Sequence, residues 1–102
     1  MDLLINNAAV HDRVTEPGFS SIDPELWMDA FKANVMGPTL VTQTLLKNLR
    51  AAPRAVVATI GSQQGCLNTY EEGGIYAYRT TKAAAHAAVA IMALDLREYG
   101  IP

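Results

Sequence analysis

Two short apolar runs constrain this chain more than anything else in it. Leu3 to Ile5 stops at Asn6-Asn7, and Ala55 to Ile60, rich in β-branched residues, stops at Gly61-Ser62. Neither run alternates polar with apolar residues. A strand that is apolar on both sides is expected to be buried on both sides, as happens in a parallel sheet covered by helices.

The segment between the runs reads as helical. Asp23-Pro24-Glu25 supplies an N-cap, a proline at the first helical position and an early acid. Leu26, Trp27, Phe31, Val35, Val41, Leu45, Leu46 and Leu49 follow at roughly helical spacing, and Pro53 closes the stretch. A second helix is predicted from near Tyr76 to Glu98, after a Glu71-Glu72-Gly73-Gly74 segment that reads as flexible, with Gly100 ending it in the C′ position. The order strand, helix, strand, helix implies βαβ crossovers and an α/β fold, part of a doubly wound parallel sheet. Two buried parallel strands need neighbours to pair their outer backbone groups, and a further strand would normally follow a helix that ends like this one. The 102 residues are therefore expected to form one partial domain.

Charge and composition remove several classes of function. The formal net charge is -2 and charged residues make up 18%, so there is no basic stripe for nucleic acid. Cys66 is the single cysteine, which excludes an internal disulfide or a cysteine metal cluster and makes a reducing cytoplasm the default. The N-terminal residues lack the positive region of a secretory signal. The uncharged run from Ala83 to Leu94 is shorter than the roughly 20 residues a bilayer requires, and a soluble protein is expected. A helix apolar all round should be buried all round, one face on the sheet and the other on a partner helix.

Tyr78 and Lys82 are four residues apart at the start of the second helix, so they share one helix face. There the ammonium can sit near the phenol and favour its anionic form. A free phenol ionises only near pH ~10. A phenol assisted in this way can give a proton to a carbonyl oxygen, or take one from an alcohol, as hydride moves. Ser62 lies just past the carboxyl end of the second strand, where open α/β sheets build their sites, and its hydroxyl could bond the same oxygen. Asn6 and Asn7 occupy the matching end of the first strand and could tie neighbouring segments together. Pro38 follows Asn34 by four residues, so the carbonyl of Asn34 loses its usual helical donor and is open to a water. Read singly, each has a plainer explanation: a chance pair, a strand-end serine, turn-forming asparagines, a packing kink. Tyr76 and Tyr70 are followed four residues later by Thr80 and Gly74, so neither has a lysine partner. His11 and His86 have no metal-ligand spacing and are assigned surface or packing roles, and Cys66 a loop role.

Taken together, Asn6-Asn7-Ala8-Ala9, Asn34, Ser62, Tyr78 and Lys82 resemble, in order and spacing, the classical short-chain dehydrogenase/reductase family over nearly the whole chain. The resemblance implies a Rossmann-type doubly wound sheet and an NAD(P)-dependent oxidoreductase acting on a small carbonyl or secondary alcohol. It makes Asn34, Ser62, Tyr78 and Lys82 the catalytic set: Tyr78 the proton donor and acceptor, Lys82 its cation and a ribose contact, Asn34 the holder of a water through its backbone carbonyl. It places Asn7, Ala8, Ala9, Tyr78 and Lys82 against the cofactor. Ala9 stands where the family usually has glycine, and the Ser62 to Tyr78 interval is a few residues longer than in many members. Gly73-Gly74-Ile75-Tyr76-Ala77-Tyr78-Arg79 is similar to the sniffer or C-factor type of NADPH-dependent carbonyl reductase, which favours NADP(H) with NAD(H) as the alternative.

By the same resemblance, a homodimer or tetramer through the long helices is implied, although some carbonyl reductases of the family are monomers. No glycine-rich pyrophosphate turn is present in the sequence, so these residues alone are expected to be inactive. Two other readings stand beside this one. The first is a non-catalytic interaction module pairing through the alanine-rich helix. The second is an extended-family epimerase or dehydratase, against which the Asn-Asn-Ala motif and Asn34 argue.

Overall fold

The computed structural model describes residues 1–11 and 19–102, apart from the side chain of Ser21. The two apolar runs form strands β1 (Leu3–Asn6) and β2 (Val56–Thr59), which pair in parallel with Leu3 opposite Val56 and Asn6 opposite Thr59. Val56 N–H donates to the carbonyl of Asp2, on the β1 side, while Val57 N–H donates to the carbonyl of Pro102. Successive amides of a strand point to opposite edges, so the Ile101-Pro102 segment runs along the far edge of β2.

The first helical stretch is not one helix. It comprises α1 (Pro24–Phe31), a π-helical turn (Lys32–Met36), α2 (Gly37–Thr44) and α3 (Leu46–Arg50). Asp23 caps α1 as expected, its carboxylate accepting the N–H groups of Glu25 and Leu26. The break has a local cause. Gly37 N–H reaches back five residues to the carbonyl of Lys32, and Pro38 brings no N–H for Asn34, so one extra residue is taken up as a π turn. Such turns are rare and gather at functional sites. The second helix, α4 (Tyr76–Leu96), matches its expected start and is extended by a 3₁₀ turn to Tyr99, with Gly100 left-handed at φ 66°.

The core is built on one face of the sheet, where Leu49, Ala55, Leu96 and Ile101 are buried and Leu4, Leu46, Val57 and Met92 pack against them. On the other side of the sheet Leu3, Ile5 and Val56 are exposed, so this chain covers one of the two faces expected to be buried. Of the two faces of α4 expected to be covered, one by the sheet and one by a partner helix, this chain covers the first. Leu96 is buried and Met92 packs on the core, but Ile91 and Leu94, on the other side of the helix, are exposed. A single helix layer can bury only one stripe of α4, and nothing among the described residues covers the rest. Among those residues, too, no helix is long and apolar enough to cross a membrane.

Candidate functional site

The carboxyl ends of β1 and β2 meet the first turns of α4 at one rim, and the side chains singled out by sequence lie around it. Asn6 Nδ2 donates to Thr42 Oγ1 (3.3 Å) and to Thr59 Oγ1 (3.4 Å), so the strand-end asparagine ties β1 to α2 and to β2. Thr42 is itself buried and gives its hydroxyl proton to the carbonyl of Pro38. Asn7, Ala8 and Ala9 follow as exposed residues of the rim.

Asn34 sits in the π turn at 1% exposure, a placement that only a fully bonded amide tolerates. Its Oδ1 accepts the N–H of Val10 (2.7 Å), and its Nδ2 donates to the carbonyl of Val10 (2.9 Å) and to Thr81 Oγ1 (2.9 Å). Asn34 therefore joins the segment after β1 to the helix that carries Tyr78 and Lys82. The sequence pointed to its backbone carbonyl; the work of the side chain was not legible there, because both partners are remote in the chain.

Lys82 is buried, and its Nζ donates to the carbonyl of Ile60 at 3.1 Å. The same nitrogen stands 5.8 Å from the centre of the Tyr78 ring, so ammonium and phenol lie on one side of α4, as the four-residue spacing requires. His11 stacks on Tyr78 with ring centres 4.2 Å apart and planes 26° from parallel. Of the surface or packing role expected for it, His11 has both: it is exposed, and it packs on the phenol. Ser62 adopts an extended backbone at the end of β2, and its Oγ accepts the N–H of Gln64 at 3.1 Å.

The residues between Ser62 and Tyr78 form two 3₁₀ turns, Gln63–Gly65 and Leu67–Thr69. Arg79 ties them and the acidic segment to α4: its Nε donates to Gln64 Oε1 (2.9 Å), and its Nη1 to the carbonyls of Glu72 (2.6 Å) and Gly74 (3.1 Å). The Glu71-Glu72-Gly73-Gly74 segment, read as flexible, is pinned at two carbonyls. Tyr70 gives its hydroxyl proton to the carbonyl of Gln64. Tyr76 meets Trp27 and Phe19 in an aromatic cluster, while Trp27 Nε1 donates to Thr80 Oγ1 at 2.8 Å. Neither tyrosine has a lysine one turn on. Cys66 lies half-buried in the loop between the two turns, and its carbonyl accepts the Thr69 hydroxyl at 2.7 Å. Among the described residues no group of three or more His, Cys, Asp or Glu side chains is placed to hold a metal ion.

Comparison with known proteins points the same way as this geometry. The model of the short chain dehydrogenase family matches residues 1–102. C-signal of Myxococcus xanthus is 39% identical over 100 residues, 98% of this chain and 59% of that protein. The carbonyl reductase Sniffer of D. melanogaster shares the fold at a TM-score of 0.87 and 25% identity, over 97% of this chain and 44% of its own. A Brucella ovis oxidoreductase of the short-chain family, in complex with a partially ordered NAD, matches at 0.84 and 31%, over 99% of this chain and 45% of its own. Further matched structures hold NADP. The chain thus spans less than two thirds of each of these relatives.

Proposed function

Since the chain belongs to the short-chain dehydrogenase family, we propose that it carries the proton-transfer side of an NAD(P)-dependent oxidoreductase that interconverts a small carbonyl compound and a secondary alcohol. The observation that carries this reading is the shared face of Tyr78 and Lys82, with the ammonium 5.8 Å from the phenol ring and anchored on Ile60 at the strand rim. A cation held there stabilises negative charge on the phenol oxygen whenever that oxygen has given up its proton.

The residues of the rim fit a dinucleotide. Asn7, Ala8 and Ala9 are exposed past β1, and the two alanines put no bulk there. Lys82 has three N–H donors and the carbonyl of Ile60 takes one, which leaves donors for the hydroxyls of a ribose. Tyr78 completes the set. When bound, the nicotinamide supplies hydride to the carbonyl carbon or accepts it from the alcohol carbon. Tyr78 gives its proton to the carbonyl oxygen, or takes one from the alcohol. Ser62 bonds that oxygen with its hydroxyl proton, since Oγ already accepts the Gln64 amide through a lone pair. Asn34, with no amide four residues on, offers its backbone carbonyl to a water that passes protons between Lys82 and solvent. NADP(H) is the favoured cofactor, on the likeness to sniffer-type carbonyl reductases, and NAD(H) the alternative.

One observation favours a second reading beside this one: the exposed Ile91 and Leu94 suit a partner helix. That helix belongs to a second subunit in a homodimer or tetramer. In the non-catalytic alternative it belongs to an intact relative, and a stable hetero-oligomer on mixing would mark that case.

Replacing Tyr78→Phe in an enzyme completed with a glycine-rich cofactor half is expected to lower kcat by about 10²- to 10⁴-fold and to change cofactor affinity far less, since the ring is kept. Retained turnover refutes the role of Tyr78. These 102 residues alone are expected to give no NADPH-dependent carbonyl reduction, and measurable turnover would refute that part.

A further inference from the structure

Tyr78, Lys82 and His86 recur at intervals of four along α4 and share one face, yet the mechanism above uses only the first two. The imidazole of His86 lies against the end of β2. There the backbone N–H of Ser62 donates to His86 Nε2 at 3.2 Å, one helical turn from where Lys82 Nζ donates to the carbonyl of Ile60 at 3.1 Å. The Ile60-Gly61-Ser62 segment is held at both ends by the same helix face, its acceptor by the ammonium and its donor by the imidazole. The glycines around the ring make the approach possible. A Cβ on Gly61 would stand 2.8 Å from His86 Nε2, and one on Gly65 would stand 2.7 Å from His86 Cε1 and 2.8 Å from the carbonyl carbon of Lys82. Both distances are below contact, and at Gly65 the backbone of α4 cannot yield.

The chemistry of this bond is one-sided. A backbone N–H can only donate, so Nε2 must present its lone pair, and the ring must be neutral with its proton on Nδ1. We propose that His86 is a positioning residue that holds the amide of Ser62, and through it the serine hydroxyl, in register with Tyr78. This rests on the reading of Ser62 as a partner of the substrate oxygen. Ser62 is then fixed twice, at its amide by α4 and at its Oγ by the Gln64 amide of the following turn. The glycines serve the same end, because a side chain at either would push the ring from the amide.

The test uses the chain as it stands. ¹⁵N spectroscopy of the imidazole is expected to report His86 as the Nδ1–H tautomer, and hydrogen exchange to find the Ser62 amide protected. His86→Leu should expose that amide and speed its exchange by about 10-fold or more. His86→Asn, which keeps a side-chain acceptor, should restore part of the protection. In a completed enzyme His86→Leu should lower kcat by about 10- to 100-fold and leave the KM for the cofactor unchanged.

An Nε2–H tautomer in the unmodified chain overturns the proposal and needs no variant to fold. A Ser62 amide that exchanges equally in both proteins does the same. Failure of the underlying reading looks different: Ser62→Ala would then keep full turnover, whatever the tautomer of His86.

Discussion

From Tyr76 to His86, α4 buries Thr81 and Lys82 and gives each a hydrogen-bond partner, whereas from Ala87 to Leu96 it is almost wholly apolar and still leaves Ile91 62% and Leu94 60% exposed. The contrast lies in how the two kinds of surface are satisfied. A buried polar atom left without a partner costs about 1 to 3 kcal/mol, so each one has to be matched singly and directionally. Among the described residues every buried side-chain nitrogen and oxygen is matched. Apolar surface is matched by area, in no particular direction, and one stripe of it on the core is enough to hold the helix. The polar half is therefore complete within this chain. The apolar half has a surface that another chain, or another part of a longer one, can cover.

Substitutions along α4 can break this comparison. Leu96→Ala, in the buried stripe at 7% exposure, is expected to cost about 2 to 5 kcal/mol in chemical denaturation. A loss below 1 kcal/mol would mean that the apolar half contributes little even where it touches the core. Thr81→Val keeps the shape of the side chain but removes the acceptor of the Asn34 amide and the donor to the carbonyl of Ala77. The expected loss is about 1 to 3 kcal/mol, and Thr81→Ser should recover most of it. A neutral Thr81→Val would show that the matched polar contacts of the first half do not govern its stability.

The smallest effect is expected at the exposed positions. Leu94→Ser and Ile91→Ser should each change monomer stability by no more than about 0.5 kcal/mol while weakening self-association in sedimentation. A stability loss as large as that of Leu96→Ala would erase the distinction between the two sides of the helix.

Much of this was legible in the sequence. Strand runs that stop at Asn6 and near Gly61, the Asp23-Pro24 cap and the start of α4 near Tyr76 all follow from neighbours a few residues apart. The Tyr78 and Lys82 pair was legible for the same reason, since helical geometry alone puts residues four apart on one face. The π turn was half legible: Pro38 announced an interruption but not its form, which depends on Gly37 bonding to Lys32. His11 and His86 were given surface or packing roles. They do pack, one on the phenol and one on the glycines beside Ser62, but no local pattern names those surfaces.

Local chemistry, then, set by itself the order of strand and helix, the caps, and the side of α4 on which a phenol and an ammonium meet. The rest waited for the chain to close on itself. Asn34 finds Val10 across 24 residues and Thr81 across 47, and Ser62 finds His86 across 24. Hydrogen-bonding capacity is a property of each residue, but which donor comes within bonding distance of which acceptor depends on how β2 and the π turn pack against α4. That packing also decided that Leu96 would be buried and Leu94 would not, although the two are equally apolar.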